Sequence, residues 1–147
     1  MHHAATRAID RLIAVYAESH QHPANEFIHC ICVPAIAFSL LGLLWAMHPL
    51  TALALTLASL VYYFILSTSF AIGMVLMSGA MLAVLFIMPP ARILPASIAI
   101  FVIAWIGQFI GHKIEGKKPS FFDDLRFLLI GPLFVLGILY RRFHIAY

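Results

Sequence analysis

The feature that most constrains the fold is an uncharged stretch, because no Asp, Glu, Lys or Arg occurs in residues 27–91, a run of 65 residues. At roughly 20 residues per transmembrane helix, this run is long enough for about three crossings of a bilayer. The composition agrees, since 63% of the 147 residues are hydrophobic, 10% are charged and the mean hydropathy is +1.00. A soluble globule of this composition would aggregate, so we predict an all-α integral membrane helical bundle.

Prolines and polar residues divide the apolar sequence into helices. The pair His22-Pro23 favours a new helix from Pro23, because a residue before proline avoids helical geometry whereas proline suits the first helical position. This helix is expected to run into the bilayer and begin a series of about four full spans. The predicted spans are residues 31–47, 50–66, 70–88 and 93–111.

Two shorter segments flank the spans. Residues 5–16 place apolar side chains on one helical face and charged ones on the other, which predicts an amphipathic helix at the membrane surface. Residues 127–140 would form a helix of about 21 Å, shorter than a hydrocarbon core of about 30 Å. Gly131-Pro132 within this segment suggests a broken, re-entrant or tilted helix. We expect one membrane domain over 1–147, made of an interfacial helix and histidine motif (1–22), four spans (23–111), a polar loop (112–126) and a short apolar helix (127–140).

The number of crossings decides which residues share a side of the membrane. Four crossings return the chain to its starting side, which then carries most of the Lys and Arg residues, whereas the opposite loops carry only Arg92. The positive-inside rule makes the common side cytoplasmic. Three crossings would instead separate His29 from His112 by the whole membrane. With no recognised retention signal or transit peptide, we expect a bacterial inner membrane, with the endoplasmic reticulum as the alternative.

The segment His-Gln-His-Pro-Ala-Asn-Glu-Phe-Ile-His at 20–29 concentrates groups that could bind a metal. Neutral imidazole is a common ligand of iron, zinc and copper, so several imidazoles at one depth could hold a divalent ion. The alternative is that these histidines are solvated surface residues or anchors at the membrane interface. The four candidate ligands, which are also the candidate catalytic residues, are His20, His22, His29 and His112.

Polar residues near these histidines could support them. Trp105, Gln108 and His112 share one helical stripe, and polar residues emerging from an apolar span usually face the bundle interior or a wet cavity. Amides there could orient imidazoles or simply form hydrogen bonds between helices. A lysine could meet an anionic head group, although the positive-inside signal alone would explain it. The candidates for supporting the ligands or contacting a substrate are Asn25, Glu26, Gln108, Glu115 and Lys117.

The motifs together resemble a known family. They are H-Q-H-P-x-N-x-x-x-H at 20–29, W-I-G-Q-F-I-G-H followed by E-G-K-K-P at 105–119, and D-D-L with G-P-L-F at 123–134. The pattern is similar to the 2-hydroxy fatty acid dioxygenase family of small membrane proteins. The resemblance implies an Fe(2+)-dependent reaction with dioxygen that removes C1 of a 2-hydroxy fatty acid, giving the fatty acid one carbon shorter. It also implies that the four histidines named above are essential.

Other classes of function remain open at this level. A membrane metal-handling or transport protein could use the same histidines, but it would need ionisable residues deep within the spans. A b-type haem protein with two axial histidines and a non-catalytic structural membrane module are further alternatives. A nucleic-acid-binding protein is not expected, because the net charge of +3 is small and the basic residues are scattered.

Overall fold

The computed structural model describes residues 7–116 and 127–147, and within these ranges the chain forms six helices and no strands. The all-α prediction is therefore confirmed for the described residues. Residues 1–6, which include the first two residues of the predicted amphipathic helix, lie outside the described residues. Most of the predicted polar loop lies outside them as well. The helices are α1 (Ala8–Ala17), α2 (Pro23–Met47), α3 (Pro49–Leu66), α4 (Thr68–Ile87), α5 (Pro90–Glu115) and α6 (Ile130–Arg142).

Histidine–proline pairs start two of these helices. Proline occupies the first helical position of both α2 and α3, where its missing N–H costs nothing. The preceding histidine is the N-cap in each case: His22 Nδ1 accepts from the Ala24 N–H and His48 Nδ1 from the Leu50 N–H, both at 3.2 Å. The predicted start of α2 at Pro23 is thus confirmed, and His22 has a structural role in it.

Helices α2 to α5 are each long and apolar enough to cross a membrane. Many of their large apolar side chains are exposed, as expected for surfaces that face lipid. The last of these helices continues to Glu115, four residues beyond the predicted end of its span, and stops at Gly116, whose φ of 74° is left-handed. The predicted polar loop 112–126 is therefore helical up to Glu115.

Small residues allow α2 and α5 to pack closely. A Cβ added at Gly107 would meet Cys32 Sγ, and one added at Gly111 would meet Asn25 Oδ1 and lie 3.3 Å from His29 Cε1. Two glycines four residues apart let helix backbones approach each other in a membrane. This close packing places the end of α5 against the beginning of α2. Because the chain makes an even number of crossings between them, His112 lies on the same side as His29.

Helix α6 lies across that same end of the bundle. The Tyr63 hydroxyl, near the end of α3, donates to the Leu129 carbonyl at 2.9 Å, and the Tyr140 hydroxyl donates to the carbonyl of Ser69, near the start of α4, at 2.8 Å. Since α3 ends where α4 begins, both ends of α6 stay on one side. Helix α6 is continuous from Ile130 to Arg142, because Pro132 lies in its first turn, where proline is tolerated. The predicted break at Gly131-Pro132 is not observed.

Helix α1 packs on α6 and completes this end of the molecule. Its apolar face is buried, with Ile9, Ile13 and Tyr16 in one core cluster that also contains Leu133 and Phe134 of α6. The charged face remains outside, where Arg7 pairs with Asp10 at 2.8 Å. The predicted amphipathic character of this segment is confirmed for the residues described, and its apolar face contacts protein.

Candidate metal centre

Three histidines from three different segments converge under α1 and α6. His20 follows α1, His29 lies in the second turn of α2, and His112 lies in the last turn of α5. Each offers one ring nitrogen such that the three atoms lie within 4.8 Å of one another. The ring centroids are 4.1 Å apart for His20 and His29, 5.0 Å for His29 and His112, and 5.3 Å for His20 and His112.

All three imidazoles are almost fully buried, with exposed fractions of 5% for His20, 0% for His29 and 4% for His112. Burial disfavours a charged imidazolium, and three such charges at this separation would repel one another strongly. A divalent cation resolves both problems, because it binds neutral imidazole through a ring-nitrogen lone pair. The donor set therefore fits a metal ion.

Backbone carbonyls fix two of the rings. His20 Nδ1 lies 2.7 Å from the Tyr16 carbonyl oxygen, and His29 Nδ1 lies 2.9 Å from the Asn25 carbonyl oxygen. A carbonyl oxygen only accepts, so each Nδ1 carries the proton and the lone pair of each ring is on Nε2. Such outer hydrogen bonds set the tautomer and the orientation of metal-binding histidines.

Aromatic packing positions His20 further. The Tyr16 ring stacks on its imidazole with centroids 4.2 Å apart and an angle of 8° between the planes, and Phe134 lies 5.6 Å away on another side. Tyr16 is not among the residues that the sequence motifs predict for the site. The sequence contains one indication of this contact. Tyr16 precedes His20 by four residues, a spacing at which side chains are neighbours on a helix.

Glu115 joins the three segments that supply the histidines. Its carboxylate accepts hydrogen bonds from the backbone N–H of Gln21 at 3.0 Å and of His22 at 2.8 Å, and from Asn25 Nδ2 at 3.0 Å. Asn25 is fully buried and also donates to the Ser19 carbonyl at 3.1 Å. The turn after His20 and the first turn of α2 are thereby held to the end of α5.

Gln108 lies one helical turn before His112 and faces the same interior. It is 3% exposed, and within the described ranges its amide nitrogen has no hydrogen-bond partner. It borders a small cavity of about 30 Å³ that Tyr16 and Trp105 also line. A buried amide donor beside a cavity is suited to a bound oxygen atom, since leaving it without a partner costs about 1–3 kcal/mol.

The structure does not bring every candidate into this group. His22 is exposed and caps α2, and Glu26 lies outside the group but lines an open cleft together with His20 and Arg141. Lys117 lies outside the described residues. The geometric group is therefore His20, His29 and His112, supported by Asn25 and Glu115.

The position of His22 leads to a testable distinction. We expect His22→Asn, which keeps a side-chain acceptor at the N-cap, to retain metal binding and thermal stability, whereas His22→Ala should lose about 1 kcal/mol of helix stability. Metal content and the unfolding temperature in detergent would measure both effects. A His22→Asn protein that loses its metal would instead make His22 a ligand.

Comparison with known proteins places this chain in a family. A family model described as "2-hydroxy-palmitic acid dioxygenase Mpo1-like" matches residues 6–143. The chain is also 28% identical over 130 residues to the 2-hydroxy-palmitic acid dioxygenase MPO1 of Saccharomyces cerevisiae, covering 84% of this chain and 75% of the yeast protein. No solved structure matches the chain. The matched region includes all three converging histidines and both ends of the bundle, and the chain belongs to the Mpo1-like family of membrane dioxygenases.

Proposed function

We propose that this chain is an Fe(2+)-dependent dioxygenase that converts a 2-hydroxy fatty acid into the fatty acid one carbon shorter. The observation that carries the proposal is the group of three buried imidazoles at the end of an apolar bundle. Family membership supports oxidation as the reaction class, and the yeast relative is named for 2-hydroxy-palmitic acid. In the balanced reaction, dioxygen is reduced, C1 leaves as carbon dioxide, C2 becomes the new carboxyl carbon and water is formed.

His20, His29 and His112 would hold the metal, and His22 would act by positioning the turn between His20 and α2. Among metals that imidazole binds, iron suits dioxygen chemistry, whereas zinc has no redox chemistry. Bound Fe(2+) would transfer electrons from the substrate to dioxygen. It would also act as a Lewis acid toward the carboxylate and hydroxyl oxygens of the substrate.

The protein's own residues would bind and orient the substrate. The Gln108 amide is placed to donate a hydrogen bond to a substrate oxygen, because it is buried beside the cavity next to the histidines. The cleft shared by His20, Glu26 and Arg141 leads from the surface to the metal centre. Its arginine would attract a carboxylate, and the surrounding apolar packing of Tyr16 and Phe134 would restrict water.

We further propose that the centre faces the cytoplasm. Arg7, Arg11 and Lys113 lie at the same end of the bundle as the three converging histidines. Arg92 lies in the first turn of α5, at the other end. This asymmetry satisfies the positive-inside rule. A bacterial inner membrane and an endoplasmic reticulum membrane both fit such an orientation, and the lipid bilayer is a partner in either case.

A metal-transport function is less well supported. A transport path would need ionisable groups within the spans, but the charged residues of α2 to α5 are Glu26, Arg92, Lys113 and Glu115, all near helix ends. The three converging histidines likewise lie at one end, and His48 lies at a helix end on the other side. The arrangement suits a fixed site better than a path across the membrane.

The decisive experiment combines metal analysis with product analysis. We expect protein purified anaerobically in detergent to bind about one Fe(2+) per chain, and to form the fatty acid one carbon shorter when air and a 2-hydroxy fatty acid are added. Elemental analysis and mass spectrometry of the product would measure this. Bound metal without product would favour a metal-handling protein, and a Soret band in the absorption spectrum would identify haem. Absence of metal would indicate that the histidines have structural roles.

A further inference from the structure

A second feature of the bundle is an apolar cavity of about 100 Å³ between α2, α3 and α4. Helix α2 contributes Ala37, Leu41 and Leu44, which are apolar, and the hydroxyl groups in the lining belong to residues such as Thr56 and Ser78. These hydroxyls donate to carbonyls of their own helices, Thr56 to Ala52 at 2.8 Å and Ser78 to Met74 at 2.7 Å. Because the lining is mostly apolar and these two hydroxyls are already hydrogen-bonded, the cavity is suited to an apolar occupant.

The cavity shares one lining residue with a smaller cavity near the metal centre. Leu128 lines both this cavity and the smaller one beside Gln108. The smaller cavity is also lined by Tyr16, which stacks on His20, and by Val33, one turn beyond His29. A continuous series of apolar side chains therefore leads from the histidines into the bundle.

The distances suit a long chain. Along α2, Ala37 is eight residues and Leu44 is fifteen residues beyond His29, which corresponds to about 12 Å and 22 Å at the helical rise. A hydrocarbon core is about 30 Å thick, so one leaflet of lipid tails spans about half of that. An acyl chain with its head at His29 would thus end within the cavity.

We propose that this cavity binds the acyl tail of the substrate and that its lining sets the chain length accepted. The inference rests on the proposed function, since the histidines must receive the 2-hydroxy acid head. A tail held here exchanges lipid surroundings for a protein cavity and never has to enter water. The apolar side chains that lie between this cavity and the metal centre favour the substrate over an unrelated membrane lipid as the occupant.

Two substitutions at opposite ends should shift chain-length preference in opposite directions. Ala37→Leu fills the near end and should lower the turnover of long relative to short 2-hydroxy fatty acids by about tenfold. Leu44→Ala opens the far end and should raise that ratio. General destabilisation cannot produce both shifts, so a series of 2-hydroxy acids of different lengths provides the measurement.

Gly79→Leu is the matched control. Gly79 is an exposed residue of α4 next to Ser78, and a Cβ added there would meet no atom within 4 Å. This variant introduces the same leucine side chain on the bundle surface without entering the cavity, and it should keep the wild-type chain-length profile. A change in its profile equal to that of Ala37→Leu would overturn the proposal.

The outcomes separate this inference from the proposed function. An active enzyme whose preference is unchanged in Ala37→Leu and Leu44→Ala would overturn the tail site and leave the dioxygenase intact. If the wild type proved inactive, binding of radiolabelled 2-hydroxy-palmitic acid in detergent would still test the cavity. Weakened binding in Ala37→Leu, with Gly79→Leu unaffected, would support the site, and equal binding in all three proteins would overturn it.

Discussion

The His29→Ala protein is expected to lose the proposed iron ion and at least about 1,000-fold of the proposed turnover of a 2-hydroxy fatty acid. His29 is fully buried, and its ring lies beside those of His20 and His112 at centroid distances of 4.1 Å and 5.0 Å. Removing its imidazole leaves two imidazoles and an apolar space in place of three ligands. Elemental analysis of the purified protein and single-turnover product formation would measure the two losses separately.

His48→Ala is the matched control for this variant. His48 is a histidine near the start of another membrane helix, where it stands before Pro49 and caps α3 at the opposite end of the bundle. Its loss should weaken one helix start by about 1 kcal/mol and leave iron content and turnover unchanged. Full iron content and turnover in His29→Ala would rule out the three-histidine centre.

The architecture of the spans was predictable because its causes are local in the sequence. Proline at 23, 49 and 90 begins three of the four long helices, and the absence of charge between residues 27 and 91 requires their apolar surfaces. The number of crossings then decides that His29 and His112 share an end. Convergence of their rings was only a prediction, since it depends on the Gly107 and Gly111 contacts between α2 and α5.

The role of His22 could not be read from spacing. In the sequence it belongs to the same dense segment as His20 and His29, but the helix that begins at Pro23 turns it outward as an N-cap. His20 points inward because the chain turns after α1 and Tyr16 stacks on its ring. The difference between two histidines two residues apart arises from backbone geometry at the junction of α1 and α2.

The placement of α6 also required tertiary contacts. A short apolar segment with Gly131-Pro132 is consistent with a break or a re-entrant path, and periodicity does not distinguish these. Hydrogen bonds from Tyr63 and Tyr140 keep both ends of α6 at the α3–α4 turn. The buried residues from Ile130 to Gly137 then cover the end of the bundle that contains the three converging histidines.

Replacing Glu115 by alanine is expected to weaken iron binding by about 10- to 100-fold, although Glu115 is not in the group of converging ligands. Its carboxylate accepts from the N–H groups of Gln21 and His22 and from Asn25 Nδ2. Asn25 in turn supplies the carbonyl that fixes His29. One carboxylate on the helix of His112 therefore holds the segments of both other histidines, and its loss should loosen all three.

The iron dependence of Glu115→Ala distinguishes positioning from ligation. A positioning role predicts that saturating Fe(2+) restores much of the turnover, because the three imidazoles remain, whereas loss of a ligand would lower turnover at any iron concentration. Asp10→Ala is the control, since it removes a carboxylate from the same end whose exposed pair with Arg7 contributes little. Iron affinity in Glu115→Ala equal to that in Asp10→Ala would contradict the role assigned to Glu115. Weakened affinity with recovery at high iron would instead establish that the α5 carboxylate organises the centre from outside it.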